Sequence, residues 1–189
     1  MSTGFEYTAL LEEIVEECRP YAEKGQLPTY IPELRKGNPK LAGIALQTPT
    51  GLFEAGDTRV DFTLQSISKI FSLLIAIEER GPEAVFAKVG AEPTGDPFNS
   101  IVKLETSEKK PPNPMINAGA IAVCSLIPGA SVEERFGRIA GLLESILDRP
   151  IAIDEAVYQS EKATAYRNRA LAWFLKEINC LEGDVEEVL

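Results

Sequence analysis

Ser66 and Lys69 stand three residues apart in the run Ser66-Ile67-Ser68-Lys69-Ile70-Phe71-Ser72-Leu73-Leu74-Ile75-Ala76-Ile77. On a helix that spacing puts both side chains on one face. A hydroxyl beside an amine is a nucleophile beside a base, provided the amine can be held neutral. Apolar residues fall on every side of the run, so the helix is expected to be buried all round. A lysine within it must then be paired, neutralised or turned to a cavity. Burial lowers a lysine pKa from its usual value of about 10.4, the change a base needs. Ser66 falls where the helix begins, and there the N–H groups and the dipole favour a developing negative oxygen. A plainer reading fits the same residues, with Ser66 as a helix N-cap and Lys69 reaching out to solvent. From these residues alone both stay open.

Composition narrows the chemistry. The 189 residues include no histidine, which excludes Ser-His-Asp and Cys-His machinery within this chain. A base for acyl transfer must be lysine, tyrosine or a carboxylate. Three separated cysteines are a poor zinc set. The net charge of -10, from 29 acidic and 19 basic residues, repels phosphate backbones and anionic lipid, so neither nucleic acid nor membrane is expected as a partner. Cys18, Cys124 and Cys180 suggest a reducing compartment and a cytoplasmic protein. The N-terminus turns acidic at Glu12, Glu13, Glu16 and Glu17, unlike a signal or transit peptide. The longest apolar stretch, Leu73 to Ile77, is too short to span a bilayer.

The elements that must position the pair can be read from periodicity. Tyr7, Leu11, Ile14, Cys18 and Tyr21 recur at helical spacing, and Gly25 and Pro28 end that first helix. Gly43 to Thr48 and Leu52 to Ala55 flank Pro49-Thr50-Gly51 and predict a β-hairpin. An extended piece, Val60 to Leu64, leads into the helix from about Ser66 to Arg80, stopped by Gly81-Pro82. Pro82 opens a short helix to Val89, and Gly90 to Pro114 has the composition of a functional loop. Asn117 opens a small-residue helix through Leu126. Ser131 with Glu134 forms a capping-box signal for a helix to about Leu147. One last helix is expected from about Ser160 to Ile178, where Glu161 and Asn168, seven apart, would share an inward face with Ala165, Ala172 and Leu175. There the two polar side chains call for partners.

Several further segments occur in order along the chain. They are Tyr30-Ile31-Pro32-Glu33-Leu34, Gly56-Asp57, and Phe62-Thr63-Leu64-Gln65-Ser66-Ile67-Ser68-Lys69. Glu92-Pro93-Thr94-Gly95, Phe98-Asn99 and Asn113-Pro114-Met115-Ile116-Asn117-Ala118-Gly119-Ala120-Ile121 follow, then Gln159-Ser160-Glu161 and Arg167-Asn168. The ordered set resembles the serine-dependent glutaminase family. The Ser-x-x-Lys spacing is also the signature of penicillin-recognising serine hydrolases. The resemblance implies an α/β (α+β) fold, β-lactamase/penicillin-binding-protein-like, with an antiparallel sheet and a helical cluster in a single catalytic domain over 1–189. It implies hydrolysis of the L-glutamine side-chain amide to glutamate and ammonia, without metal or organic cofactor, by a homo-oligomer.

By the same resemblance Ser66 is the nucleophile and Lys69 its base partner. Tyr30 and Gln65 would line the amide end of the pocket, and Asn117, Glu161 and Asn168 would hold the amino-acid end. Free glutamine carries an α-ammonium and an α-carboxylate, so an anion and donors placed together suit it. Each residue also has a structural reading: Glu161 as a carboxylate at a helix N-terminus, Asn117 as an N-cap, Tyr30 as an edge aromatic packed on the first helix. Tyr166, in Tyr166-Arg167-Asn168, echoes a Tyr-x-Asn motif of some β-lactamases and is read here as structural.

Family members continue beyond the length of this chain, so the C-terminal part of the fold is expected to be missing, with further tyrosines and a Lys-Ser-Gly-like segment. The hairpin would then lack C-terminal neighbours, and the chain alone is expected to release no ammonia. Two other functions compete: a penicillin-recognising hydrolase or peptidase using the same Ser66-Lys69 pair, and a non-catalytic amino-acid-binding fragment.

Overall fold

The computed structural model describes residues 4–95 and 110–189. Phe98, Asn99 and the middle of the loop expected between Gly90 and Pro114 lie outside the described residues. In chain order the elements are α1 (Gly4–Ala22), a 3-10 turn (Pro32–Lys36), strands β1 (Gly43–Thr48) and β2 (Gly51–Gly56), and a second 3-10 turn (Gln65–Ile67). The helices α2 (Ser68–Arg80), α3 (Pro82–Lys88), α4 (Asn117–Cys124), α5 (Val132–Leu147), α6 (Glu155–Thr164), α7 (Tyr166–Glu177) and α8 (Val185–Val188) follow. They divide into two compact units. One comprises Met1–Thr63 with Asp154–Thr164, the other Leu64–Ile153 with Ala165–Leu189.

In the first unit the hairpin alternates as its sequence predicts, Ile44 and Leu46 turned toward the core and Ala45 and Gln47 exposed. Pairing runs antiparallel from Gly43 with Gly56 to Thr48 with Gly51. Leu11 and Val15 of α1 bury against Ala55, with Ala42 and Phe53 packed around them. The far end of the α1 stripe emerges from the core, where Cys18 and Tyr21 are exposed. No strand forms over Val60 to Leu64.

Asp57 locks the open end of the hairpin. Its Oδ2 accepts from the Ala42 N–H at 3.0 Å and from Arg19 Nη1 at 2.9 Å. Those bonds, the Ala42 one foremost, hold its carboxyl below the usual carboxylate range. A depressed folded-state pKa adds stability that is present above the unfolded value and lost as the pH falls through the folded one. The melting temperature of the wild type should therefore drop on acidification below about pH 4, and Asp57→Asn should lack that part of the drop. Parallel acid profiles for the two proteins would remove Asp57 from the acid sensitivity.

The second unit is helical, and α4 is its centre. Ala118, Ile121 and Ala122 join Leu171, Ala172 and Leu175 of α7 in one core. On the other side Val123 and Leu126 meet Ala76, Val85 and Val89. Burying leucines as completely as Leu171 and Leu175 is worth about 1.5–3 kcal/mol each. The helix covered on all sides is thus α4. On α2, where that was expected, Ser72, Ile75 and Ala76 are buried but Ile70 is 57% and Leu74 40% exposed, and Ile67 just before the helix is 48% exposed. One side of α2 is buried and the stripe carrying these three is left partly exposed.

The capping box at Ser131 forms, with the Glu134 N–H donating to Ser131 Oγ at 3.3 Å. The returning Glu134 carboxylate takes the N–H of Ala130, one residue earlier than the usual pattern. The single helix expected over 160–178 is instead two, α6 and α7. Thr164 ends the first, its hydroxyl lying 2.8 Å from the Tyr30 carbonyl and 2.9 Å from the Ser160 carbonyl. Ala165 then leaves helical geometry at φ -75°, ψ 32°. Glu161 and Asn168 consequently sit on different helices and in different units, and a shared face no longer describes them.

Candidate active site

Ser66 lies in the 3-10 turn that runs directly into α2, with its side chain exposed. Neither that turn nor α2 takes a capping hydrogen bond from a side chain, so Ser66 is not a helix cap. The residue before it, Gln65, has φ 46°. For a non-glycine residue this left-handed conformation costs about 1–2 kcal/mol. It is held by the Ser68 hydroxyl, which donates to the Gln65 carbonyl at 2.7 Å. Backbone strain of this kind clusters at functional sites.

One turn further along, Lys69 faces α4. Its Nζ donates to the Met115 carbonyl at 2.9 Å and to Asn117 Oδ1 at 2.8 Å. The lysine does not run out to solvent. Burial brings its amine below the ordinary lysine range, opposed in part by the nearby Cys124 thiol. Burial in turn pushes the Cys124 thiol up, against the Ser72 hydroxyl and Lys69.

Asn117 is the first residue of α4 rather than its cap, which is Ile116. Its amide is used sideways. Oδ1 faces Lys69, and Nδ2 donates to Asn168 Oδ1 at 3.1 Å. Lysine can only donate here, so it fixes the polarity of the whole chain of bonds. Asn168 therefore spends its oxygen on Asn117 and presents its NH₂ as a donor. Lys69, Asn117 and Asn168 form one hydrogen-bonded line across α2, α4 and α7, with Gln65 and Ser66 at the start of α2.

Tyr30 and Glu161 belong to the other unit. Glu161 is half-buried on α6, and burial raises its carboxyl above the usual range. The Glu33 N–H donates to Ser160 Oγ at 3.0 Å, and this bond, with the Thr164 contact to the Tyr30 carbonyl, ties α6 to the Tyr30 segment. The Tyr30 side chain is 61% exposed and is not packed away as an edge aromatic.

Two groups around Lys69 escaped the residue-type reading. The Met115 carbonyl is backbone and carries no side-chain signal. Asn113 does carry one, since Asn before Pro initiates turns. Gly119 belongs with them. A Cβ there would fall 1.9 Å from the Asn113 carbonyl oxygen, so only glycine lets α4 lie against that turn. Among the described residues no cluster of His, Cys, Asp and Glu fits a metal ion.

A helix-rich α+β chain with a serine one turn from a half-buried lysine is the arrangement of the β-lactamase-like hydrolases. The glutaminase family profile matches residues 25–189. A glutaminase of Bacillus cytotoxicus is 49% identical over 182 residues, covering 95% of this chain and 59% of the relative. The structure of a probable glutaminase from Bacillus subtilis superposes with a TM-score of 0.87 at 42% identity, over 97% of this chain and 56% of that one. A covalent complex of a Bacillus subtilis glutaminase with 5-oxo-L-norleucine, formed by reaction with 6-diazo-5-oxo-L-norleucine, superposes at 0.81 with 39% identity, over 96% of this chain and 56% of that one. The chain belongs to the glutaminase family. It spans 59% of the length of the Bacillus cytotoxicus relative.

Proposed function

We propose that this chain carries the nucleophile half of a glutaminase site, hydrolysing the side-chain amide of L-glutamine to glutamate and ammonia. The observation that carries the reading is the Lys69 amine, half-buried and held by two acceptors one helical turn from Ser66. Ser66 Oγ attacks the amide carbon while its proton passes to Lys69 Nζ. The tetrahedral intermediate collapses as ammonia leaves with a proton, giving an acyl-enzyme ester on Ser66. Water then adds to the ester, releases glutamate and restores the hydroxyl. The positive end of α2 lies beside Ser66 and favours the negative oxygen formed in each step.

Asn168 serves the α-carboxylate with its NH₂, since its bond to Asn117 uses the amide oxygen. Glu161 serves the α-ammonium, and Tyr30 and Gln65 border the amide end. The reading needs no metal or organic cofactor. It carries with it a cytoplasmic homo-oligomer, supported by the family resemblance and by the odd number and wide spacing of Cys18, Cys124 and Cys180.

To test it, the chain, alone and joined to the remaining portion of the Bacillus cytotoxicus relative, is incubated with glutamine and then with 6-diazo-5-oxo-L-norleucine. The joined protein should release ammonia and gain one adduct, on Ser66. The unjoined chain is expected to release none. An adduct on Ser68 or Cys124 would show the nucleophile to be wrong.

A further inference from the structure

Two acceptors of Lys69, the Met115 carbonyl and the Asn117 side chain, come from one short stretch of chain. Residues 113–116 carry no helix or strand, so side-chain bonds must give that stretch its shape. Asn113 supplies them. Its Oδ1 accepts from the N–H of Met115 at 3.0 Å and of Ile116 at 3.2 Å, closing an Asx turn. Its Nδ2 donates to the Glu92 carbonyl at 2.9 Å. Glu92 is itself anchored, its N–H donating to the Pro112 carbonyl at 2.9 Å, and the Gly90 N–H donates to the Pro111 carbonyl at 2.7 Å. From the other side α4 presses on the same turn through Gly119, where a Cβ would meet the Asn113 carbonyl.

We propose that Asn113 is a positioning residue for the Lys69 amine: by fixing the Met115 carbonyl and the first turn of α4, it holds the amine against α4 and away from water. Asn113 acts through Met115 and Asn117. The functional meaning rests on Lys69 being the base proposed above, whereas the test reads the amine itself and stands whether or not Ser66 proves to be the nucleophile.

The test is competitive acetylation of the 189-residue chain with acetic anhydride across a pH series, each lysine being quantified by mass spectrometry. Lys88, whose Nζ donates to the Asn179 carbonyl in the same unit, is the internal reference. In the wild type the Lys69 profile should rise below the ordinary lysine range. In Asn113→Ala its midpoint should move up toward the ordinary lysine range, while the Lys88 profile stays unchanged from wild type. At about pH 8 each unit of that shift lowers the reactive Lys69 fraction roughly tenfold. Asn113→Ser, whose hydroxyl can still accept from the Met115 N–H, should shift Lys69 less. An unmoved Lys69 midpoint in Asn113→Ala with Lys88 unchanged overturns the proposal. If Asn113→Ala displaces Lys88 as well, Asn113→Ser decides: a Lys69 shift with Lys88 fixed supports the role, and no shift overturns it.

Discussion

Ser66→Ala is expected to abolish glutamine hydrolysis in the joined protein while leaving the fold intact. Ser66 is exposed and caps no helix, so alanine removes the proposed nucleophile and little else. Loss of a serine nucleophile lowers kcat by a factor on the order of 10⁶ in a well-studied hydrolase. Lys69→Ala should lose about 10²–10⁴-fold, the usual worth of a positioned base, since no histidine is present to replace it. The two losses should not multiply in the double variant, because a nucleophile and its base act as a unit. The sign of the pH dependence also follows. As the proposed base, Lys69 would work as the neutral amine, so kcat/KM should rise with pH through a midpoint below the usual lysine value. Full turnover by Ser66→Ala, or a rate independent of pH through the range in which Lys69 titrates, would remove the pair from the mechanism.

The second large effect belongs to Glu161. Removing one partner of a desolvated charged pair costs about 2–5 kcal/mol, or roughly 30- to 5,000-fold. Glu161→Ala should weaken glutamine by an amount in that range, measured as kcat/KM. A glutamine analogue lacking the α-amino group should be poor for the wild type, and the variant should discriminate far less between the two. Burial raises the Glu161 carboxyl, and only the ionised form attracts an ammonium. Glutamine binding should therefore weaken as the pH falls through that raised value, and the variant should lose this dependence. Equal discrimination by both proteins would place the ammonium elsewhere.

Much of the fold was legible where the signal is local. Pro49-Thr50 and Gly51 mark the hairpin because a tight turn needs those residues, and Ser131 with Glu134 marks α5 because a cap is a short-range bond. The Ser66-Lys69 spacing was legible for the same reason. The break at Ala165 was not. Alanine is the best helix former, and the periodicity runs through it unchanged. What ends α6 there is a threonine hydroxyl beside a carbonyl more than a hundred residues away in sequence. The exchange of roles between α2 and α4 has a similar cause. Both helices read as apolar, and which one is surrounded depends on the elements packed around each. The partners of Lys69 were half visible, since Asn117 could be picked out by type and the Met115 carbonyl could not.

The placing of Lys69 against α4 has a consequence for how substitutions would show themselves. In a histidine-based hydrolase the working pH range comes largely with the base, because imidazole titrates near neutrality wherever it is put. In the mechanism proposed here the base is a lysine whose readiness comes from burial rather than from its own chemistry. Substitutions that loosen the packing around Lys69 would then surface as a changed range of acidity in which the protein works.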